Sequence, residues 1–467
     1  MKVLLLNPPD ENKLFRDSTL SRCVGVSRKA PYLWPPIGLA YIAGYIRDIV
    51  DVKILDCHAE NLDSERALEH CNGYEIVIIS AGMSTMKKDI SFGKKLKEMY
   101  NCKIALVGSQ ATYFHDKIIN EEGVDFVIRG EPERIIKNLC KEFEKGFFGK
   151  VKGLTWKDKF RVRINPDENL IENLDEIPFA ARDLLPNDKY YDITARKKRI
   201  TLSLGSRGCP FQCAYCSTKV YNGKIYRTRS PDNIKKEFEN LKSQGFDDVF
   251  FFDDLFVFNK KRILEICEKI KELKMSWRCE SRVDTVDREM LEKMKEAGCY
   301  QIQIGVESGN QIMLDKMKKG TKVEQIKQMF KWCNELGIET VAYMILGYPG
   351  ETRESALESI NLMKEIKPNF LSFNVFNPIP GSDIYESMKK KIDLENADFA
   401  SISFCDLPNS EVMELVQKGY KDYYLRFGYL TGQIGKARNL GDVERFVKRN
   451  IKFWAMREGN LWKNLTK

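Results

Sequence analysis

Twice in this chain, short apolar runs bounded by turn residues alternate with longer stretches of helical periodicity. Chains with that alternation fold as strand–helix–strand units around parallel sheets. The first series has its apolar runs at residues 3–6, 52–55, 76–80, 104–107 and 126–128. Within runs such as EIVIIS the middle four residues are apolar without interruption, as strands covered by helices on both faces must be. The expectation is an α/β domain of doubly wound, Rossmann-like type over residues 1–147. Ligands on such sheets bind beyond the carboxyl ends of the strands, which here carry Asn7, Asp56, Ser80 and Gly108.

The second series starts at Ile200, with strands expected at 200–205, 248–253, 276–282, 300–306, 339–346 and 370–376. Helical stretches such as PDNIKKEFENLKSQG separate them. Six βα units without a closing pair predict a partial (β/α)6 barrel of TIM type over residues 196–395. Chemistry in such barrels gathers where the βα-loops converge, at the carboxyl ends of the strands. CPFQCAYC, a DD pair, an Arg, ESG, GYPGE and PIPGS each follow a strand. Residues 148–195, with a hairpin in GLTWKDKFRVRINP, are read as a connector, and 396–467 as a helical cap. In that cap Val443, Phe446, Val447, Ile451 and Trp454 form one apolar face, expected to pack on the barrel, with transient membrane contact as the alternative.

Composition removes several classes of function. No apolar run is long enough to span a bilayer, and after MKVLLL the residues Asn7-Pro8-Pro9 stand where a secretory signal needs small residues. The net charge of +9 is spread over 76 basic and 67 acidic residues, so no stripe for nucleic acid is expected. Thirteen cysteines, an odd number, argue for a reducing, cytoplasmic setting and against a disulfide framework.

Three of those cysteines carry the chemistry. Cys209, Cys213 and Cys216 form a C-x3-C-x2-C loop after the first barrel strand. Three thiolates so close can grip one face of a [4Fe–4S] cluster and leave its fourth iron open. Zinc would want a fourth ligand nearby, yet the three histidines are His58, His70 and His115, all in the first domain.

The loop, with Tyr215 before its last cysteine, resembles the signature of the radical S-adenosylmethionine (SAM) superfamily. The resemblance implies that SAM chelates the open iron through its amino and carboxylate groups. An electron from a donor such as ferredoxin or flavodoxin then splits the sulfonium to give a 5′-deoxyadenosyl radical. It also implies Asp253 and Asp254 at the amino group of SAM, Arg282 at its carboxylate, and Glu307, Ser308 and Gly309 at its ribose. Without the resemblance the aspartates read as a helix cap and a solvated acid, and Arg282 as an ion pair. The turns Gly347-Tyr348-Pro349-Gly350 and Pro378-Ile379-Pro380-Gly381 would let backbone approach the adenine, or are simple loop geometry.

Residues 1 to about 390 resemble one branch of that superfamily, the class B methylase-like enzymes with an N-terminal cobalamin-binding domain. Its marks are NPP, PPIGLAYIAGYI, VGSQAT, IRGEPE, MKKGT and GYPGET. By position the resemblance nominates Asp56, Ser80, Gly108, Ser109, Gln110 and Glu131 for cobalamin. The D-x-H-x-x-G motif of cobalamin proteins is met in part: Asp56-Cys57-His58 is followed by Asn61, not Gly. His58 is then either the lower cobalt ligand or, as the preferred expectation, a polar residue at the corrin edge or the surface. The implied activity is methylation of an unactivated carbon, with one SAM making the radical and another remethylating cobalamin. Cyclisation, oxidation or carbon–carbon coupling on a lipid or tetrapyrrole is the enzymatic alternative, and a non-catalytic cobalamin sensor the alternative of another class. Methylthiolation would want further cysteines on strand ends of the first domain, which Cys23, Cys57, Cys71 and Cys102 do not supply. The substrate stays open between a peptide side chain, a cofactor and a lipid.

Overall fold

The computed structural model describes residues 1–11, 32–158, 161–390 and 402–426. The apolar residues of the first series form the interior of one sheet. Strand β1 (Lys2–Asn7) is its second strand; β2 (Tyr32–Leu33) lies apart, and β3 (Asp51–Asp56), β4 (Ile76–Ser80), β5 (Lys103–Val107) and β6 (Phe126–Ile128) complete the parallel set. Leu5 pairs with both Ile54 and Ile78, and Ser80 with Val107, so Asn7, Asp56, Ser80 and Gly108 reach the same edge.

The hairpin expected in the connector belongs to this sheet instead. Its strands β7 (Leu154–Asp158) and β8 (Arg161–Ile164) extend the order to β3-β1-β4-β5-β6-β7-β8, with β7 antiparallel to β6. Leu154 and Thr155 are fully buried and Trp156 meets Phe148 edge-on, so apolar packing draws the hairpin onto the sheet. Strand β9 (Tyr191–Asp192) then pairs with β2 and ties the following segment back to the first domain.

The second sheet runs in chain order through β10 (Ile200–Ser203), β13 (Asp248–Phe251), β14 (Ser276–Ser281), β15 (Cys299–Glu307), β16 (Glu339–Leu346) and β17 (Phe370–Val375). All neighbours are parallel, and among the described residues β17 does not pair with β10, so the barrel is open. A two-stranded ribbon, β11 (Ser206–Arg207) with β12 (Arg227–Thr228), brackets the cysteine loop.

Alternation along the strands divides the barrel. On β14, Trp277 and Cys279 join the apolar layer under the helices, with Phe251 and Phe256 stacked 4.0 Å apart beside Trp277. Burying each such side chain contributes roughly 1.5–3 kcal/mol. Arg278, between them, is fully buried on the other side and donates 2.7 Å to Asp192, whose carboxylate also accepts from Trp34 Nε1 at 2.9 Å. A buried guanidinium needs such a partner. The open edge is covered by the helix Asn409–Tyr424, where the Tyr424 and Tyr420 hydroxyls accept the backbone N–H groups of Leu371 and Phe373 at 2.9 and 2.7 Å. The apolar face read at 443–454 lies outside the described residues. Among the described residues no helix is long and apolar enough to cross a membrane.

Candidate active site

The cysteine loop leaves β11 through Gly208, at φ +81°, where a side chain would strike the Ile225 carbonyl. Cys209, Cys213 and Cys216 are half-buried, whereas eight of the other nine described cysteines are buried. Burial pushes the Cys209 thiol up to about 12, and Cys216, Asp254 and Cys213 add to the shift. Three thiolates at this place therefore need a cation to hold them. Among the described residues no three His, Cys, Asp or Glu side chains converge closely enough to chelate a metal as they stand. Each thiol nevertheless turns on a single bond in one irregular loop, and that loop, residues 209–216, supplies three sulfurs and no further Cys or His. That donor set fits a [4Fe–4S] cluster with one open iron.

The strand ends surround the loop. Arg282, just past β14, donates to Cys213 Sγ at 3.4 Å and is held by Asp284 at 2.9 and 2.8 Å. Tyr215 donates to Glu307 Oε1 at 3.0 Å, and Lys319 Nζ reaches the same oxygen at 2.8 Å and the Tyr215 hydroxyl at 3.2 Å. Glu307 sits at φ +67°, at a register shift of β15 against β16. Non-glycine residues adopt that region rarely and at a cost, often at functional sites. Lys319 was not among the expected site residues, although it lies in the MKKGT run that marked the resemblance.

The paired aspartates part company. Asp254 accepts from Gly208 N at 3.0 Å and Asn222 Nδ2 at 2.7 Å, alongside the cysteine loop. Asp253 is fully buried and accepts from Gly205 N at 2.8 Å and Ser206 Oγ at 2.6 Å, which locks β11 to the end of β13. Ser308 is likewise turned inward, its hydroxyl 3.1 Å from that of Ser359 in the helix Arg353–Ile366. A side chain on Gly309 would lie 2.7 Å from Ser359 Cα, so the ESG turn admits that helix.

At the first sheet's edge, Asp56 is buried and accepts from Asn7 at 2.7 Å, Tyr190 at 3.0 Å and His58 N at 3.1 Å. Burial raises its carboxyl above the ordinary range, with those hydrogen bonds opposing. His58 is buried in the short helix that Asp56 caps, and Asn61 ends it at φ +55°. Asn tolerates that left-handed position, so the turn a Gly would make is kept. Gly108 has φ +132° and lies against Ala81, whose carbonyl oxygen would be 2.8 Å from a Cβ. Ser109 opens the helix Ser109–Tyr113. The buried Ser80 Oγ and Gln110 Oε1 have no hydrogen-bond partner among the described residues. Orphaned buried polar atoms beside a bare backbone cradle fit a polar ligand such as the cobalamin tail. Glu131 is engaged differently from the expectation: it accepts from Ile171 N at 2.7 Å and lies 2.9 Å from Arg227 and 3.3 Å from Arg207 of the barrel ribbon.

The two edges meet. Tyr113 donates to Glu386 at 2.5 Å and lies edge-on to Tyr385, past the last barrel strand. Gly381 at φ +86° leaves no room for a side chain between Val220, behind the cysteine loop, and Tyr113.

A family model described as the radical SAM superfamily matches residues 204–363, and one described as the B12 binding domain matches residues 24–139. An uncharacterized methyltransferase of Pyrococcus horikoshii is 32% identical over 441 residues, covering 91% of this chain and 93% of its own length. The anaerobic magnesium-protoporphyrin IX monomethyl ester cyclase of Rubrivivax gelatinosus is 26% identical over 468 residues, 93% of this chain and 83% of the cyclase. The solved structure of the radical SAM methyltransferase TsrM from Kitasatospora setae is similar in fold, with a TM-score of 0.65 at 15% identity over 83% of this chain and 76% of that one. The two matched domains follow the order of the two sheets, and a [4Fe–4S] cluster, SAM and cobalamin are the cofactors they carry. A relative matched almost end to end at nearly one residue in three settles the family: this chain is a radical SAM enzyme with an N-terminal cobalamin-binding domain.

Proposed function

We propose that this enzyme transfers a methyl group from SAM to an unactivated carbon. The observation that carries the reading is the junction at Gly381, where the helix behind the cysteine loop and the helix of the orphaned Gln110 close on one another. Radical chemistry and methyl delivery need reacting groups within near-contact distance in a site that excludes water. The bound cluster and SAM supply a carbon-centred radical, and cobalamin supplies the methyl group.

Within this reading Cys209, Cys213 and Cys216 hold the cluster. Asp254 and Arg282 orient the amino and carboxylate ends of SAM, with Tyr215, Glu307 and Lys319 as the wall behind them. Asp253 and Ser308 support that wall from beneath. Asp56, Ser80, Gly108, Ser109 and Gln110 line the cobalamin tail, and Glu131 fixes the loop beside it. An acidic one-electron donor such as ferredoxin or flavodoxin and an anaerobic, cytoplasmic setting complete it. The substrate is a peptide side chain, a cofactor or a lipid. Cyclisation is the second reading, favoured by the similarity to the Rubrivivax cyclase.

Anaerobic reconstitution with iron, sulfide and cobalamin, followed by methyl-labelled SAM and a cell extract, tests the proposal. Release of 5′-deoxyadenosine with label in a product heavier by one CH2 unit is expected. Cleavage of SAM with an unlabelled product two hydrogens lighter would select the cyclase reading, and no 5′-deoxyadenosine would remove both.

A further inference from the structure

The two cofactor edges are joined by a buried cluster of four charges. Arg207 lies two residues before Cys209 and is 2% exposed. Its guanidinium donates to both carboxylate oxygens of the fully buried Glu133 and lies 3.3 Å from Glu131. Arg227, its partner across the ribbon, bonds Glu131 at 2.9 Å, the Ile171 carbonyl at 2.7 Å and the Asn222 carbonyl at 2.9 Å. Two guanidinium groups and two carboxylates balance, which is how such a cluster survives away from water.

From the cluster a hydrogen-bonded line runs to the cobalamin edge. Gly130, next to Glu131, donates its N–H to Thr112 Oγ1 at 3.0 Å, and that hydroxyl donates to the Gly108 carbonyl at 3.0 Å. In the other direction Gly208, next to Arg207, donates to Asp254 at 3.0 Å. The line therefore starts at the backbone of the corrin cradle and ends at the root of the cysteine loop. Each link is short, and the charged ones are bidentate or buried, so neither loop can shift without breaking one of them.

We propose that Glu133 and Glu131, with Arg207 and Arg227, are positioning residues that fix the cobalamin cradle relative to the cluster loop. None of the four needs to touch substrate for this. Their work is to keep the two metal centres in register while substrate enters and product leaves.

The test uses the holoenzyme reconstituted with iron, sulfide and cobalamin, poised so that the reduced cluster and cob(II)alamin are both paramagnetic. Their spin–spin splitting reports the separation and its spread. It needs no substrate, so the answer does not depend on which reaction the enzyme runs. In Glu133→Gln the splitting should broaden or weaken while iron and cobalamin contents stay at wild-type levels. A role confined to stability would lower the melting temperature and leave the splitting alone, and an unchanged splitting with both cofactors bound overturns the proposal. Should Glu133→Gln fail to fold or to hold both cofactors, Thr112→Val decides by the same criterion, because it cuts the line with an isosteric side chain and strands no charge.

Discussion

Arg282 donates to the Cys213 sulfur at 3.4 Å while its guanidinium lies 3.7 Å over the ring of Phe211, so one side chain grips two residues of the cysteine loop. Its Nη2 also donates to the Lys319 carbonyl at 2.6 Å. Three directions at once require a planar fork, which lysine lacks. Arg282→Lys should keep the cluster but cut SAM cleavage by about ten- to a hundredfold, on the order of losing one well-placed electrostatic contact. Iron content and the rate of 5′-deoxyadenosine release measure the two halves separately. Equal rates in both proteins would remove Arg282 from the site.

The cysteines divide by exposure, and substitution should divide them by function. Alanine at Cys209, Cys213 or Cys216 is expected to abolish the brown absorbance and SAM cleavage together. Alanine at the fully buried Cys333 should leave both intact and cost about 1 kcal/mol of stability, the ordinary price of a small core truncation. Absorbance after anaerobic reconstitution and a melting curve check both sides.

Lys319 and Glu307 form a buried pair, 5% and 8% exposed, at 2.8 Å. Removing one partner of such a pair strands the other and costs roughly 3–5 kcal/mol. Lys319→Met should therefore lower the melting temperature sharply, and Lys319→Met with Glu307→Gln should recover most of the loss. A double variant no better than the single would show that the two charges do not depend on each other.

Much of this was readable from the chain because uninterrupted apolar runs such as Ile76 to Ile79 and Ile104 to Leu106 have few places to go other than the middle of a parallel sheet. What the runs do not encode is which sheet a polar hairpin will join. Strands β7 and β8 went to the first sheet because the Phe148 and Trp156 rings and the Asn165 side chain, which binds the Phe148 and Val151 carbonyls at 2.7 Å, close that corner. Adjacent residues of like chemistry posed the same difficulty within the site. Nothing in Asp253-Asp254 tells which carboxylate turns to the cysteine loop, since that depends on the strand's last Cα and on Gly205 across from it. Glu131 and Glu133 read as one motif, yet their partners, Arg207 and Arg227, lie far along the chain. Long-range pairing of that kind leaves no local signal.

Glu351, after the GYPG turn, links that turn to pH. It is 1% exposed; Oε2 accepts the Gly347 N–H, and Oε1 has no hydrogen-bond partner among the described residues. Burial pushes its carboxyl from 4.5 up to about 7, against the pull of the backbone N–H groups. The folded state thus prefers the neutral acid more than the unfolded state does. Stability from this group is complete below the unfolded value near 4.5 and is lost as pH rises through about 7. At about 1.4 kcal/mol for each unit, the loss amounts to roughly 3 kcal/mol by pH 8. Glu351→Gln keeps an acceptor for Gly347 and cannot ionise. Denaturant unfolding at pH 5 and pH 8 should show the glutamine variant gaining on the parent as pH rises, with the gap largest at pH 8. A gap that stays constant, or that closes on the alkaline side, would mean that Glu351 is already ionised in the folded protein at low pH and that the turn holds its charge.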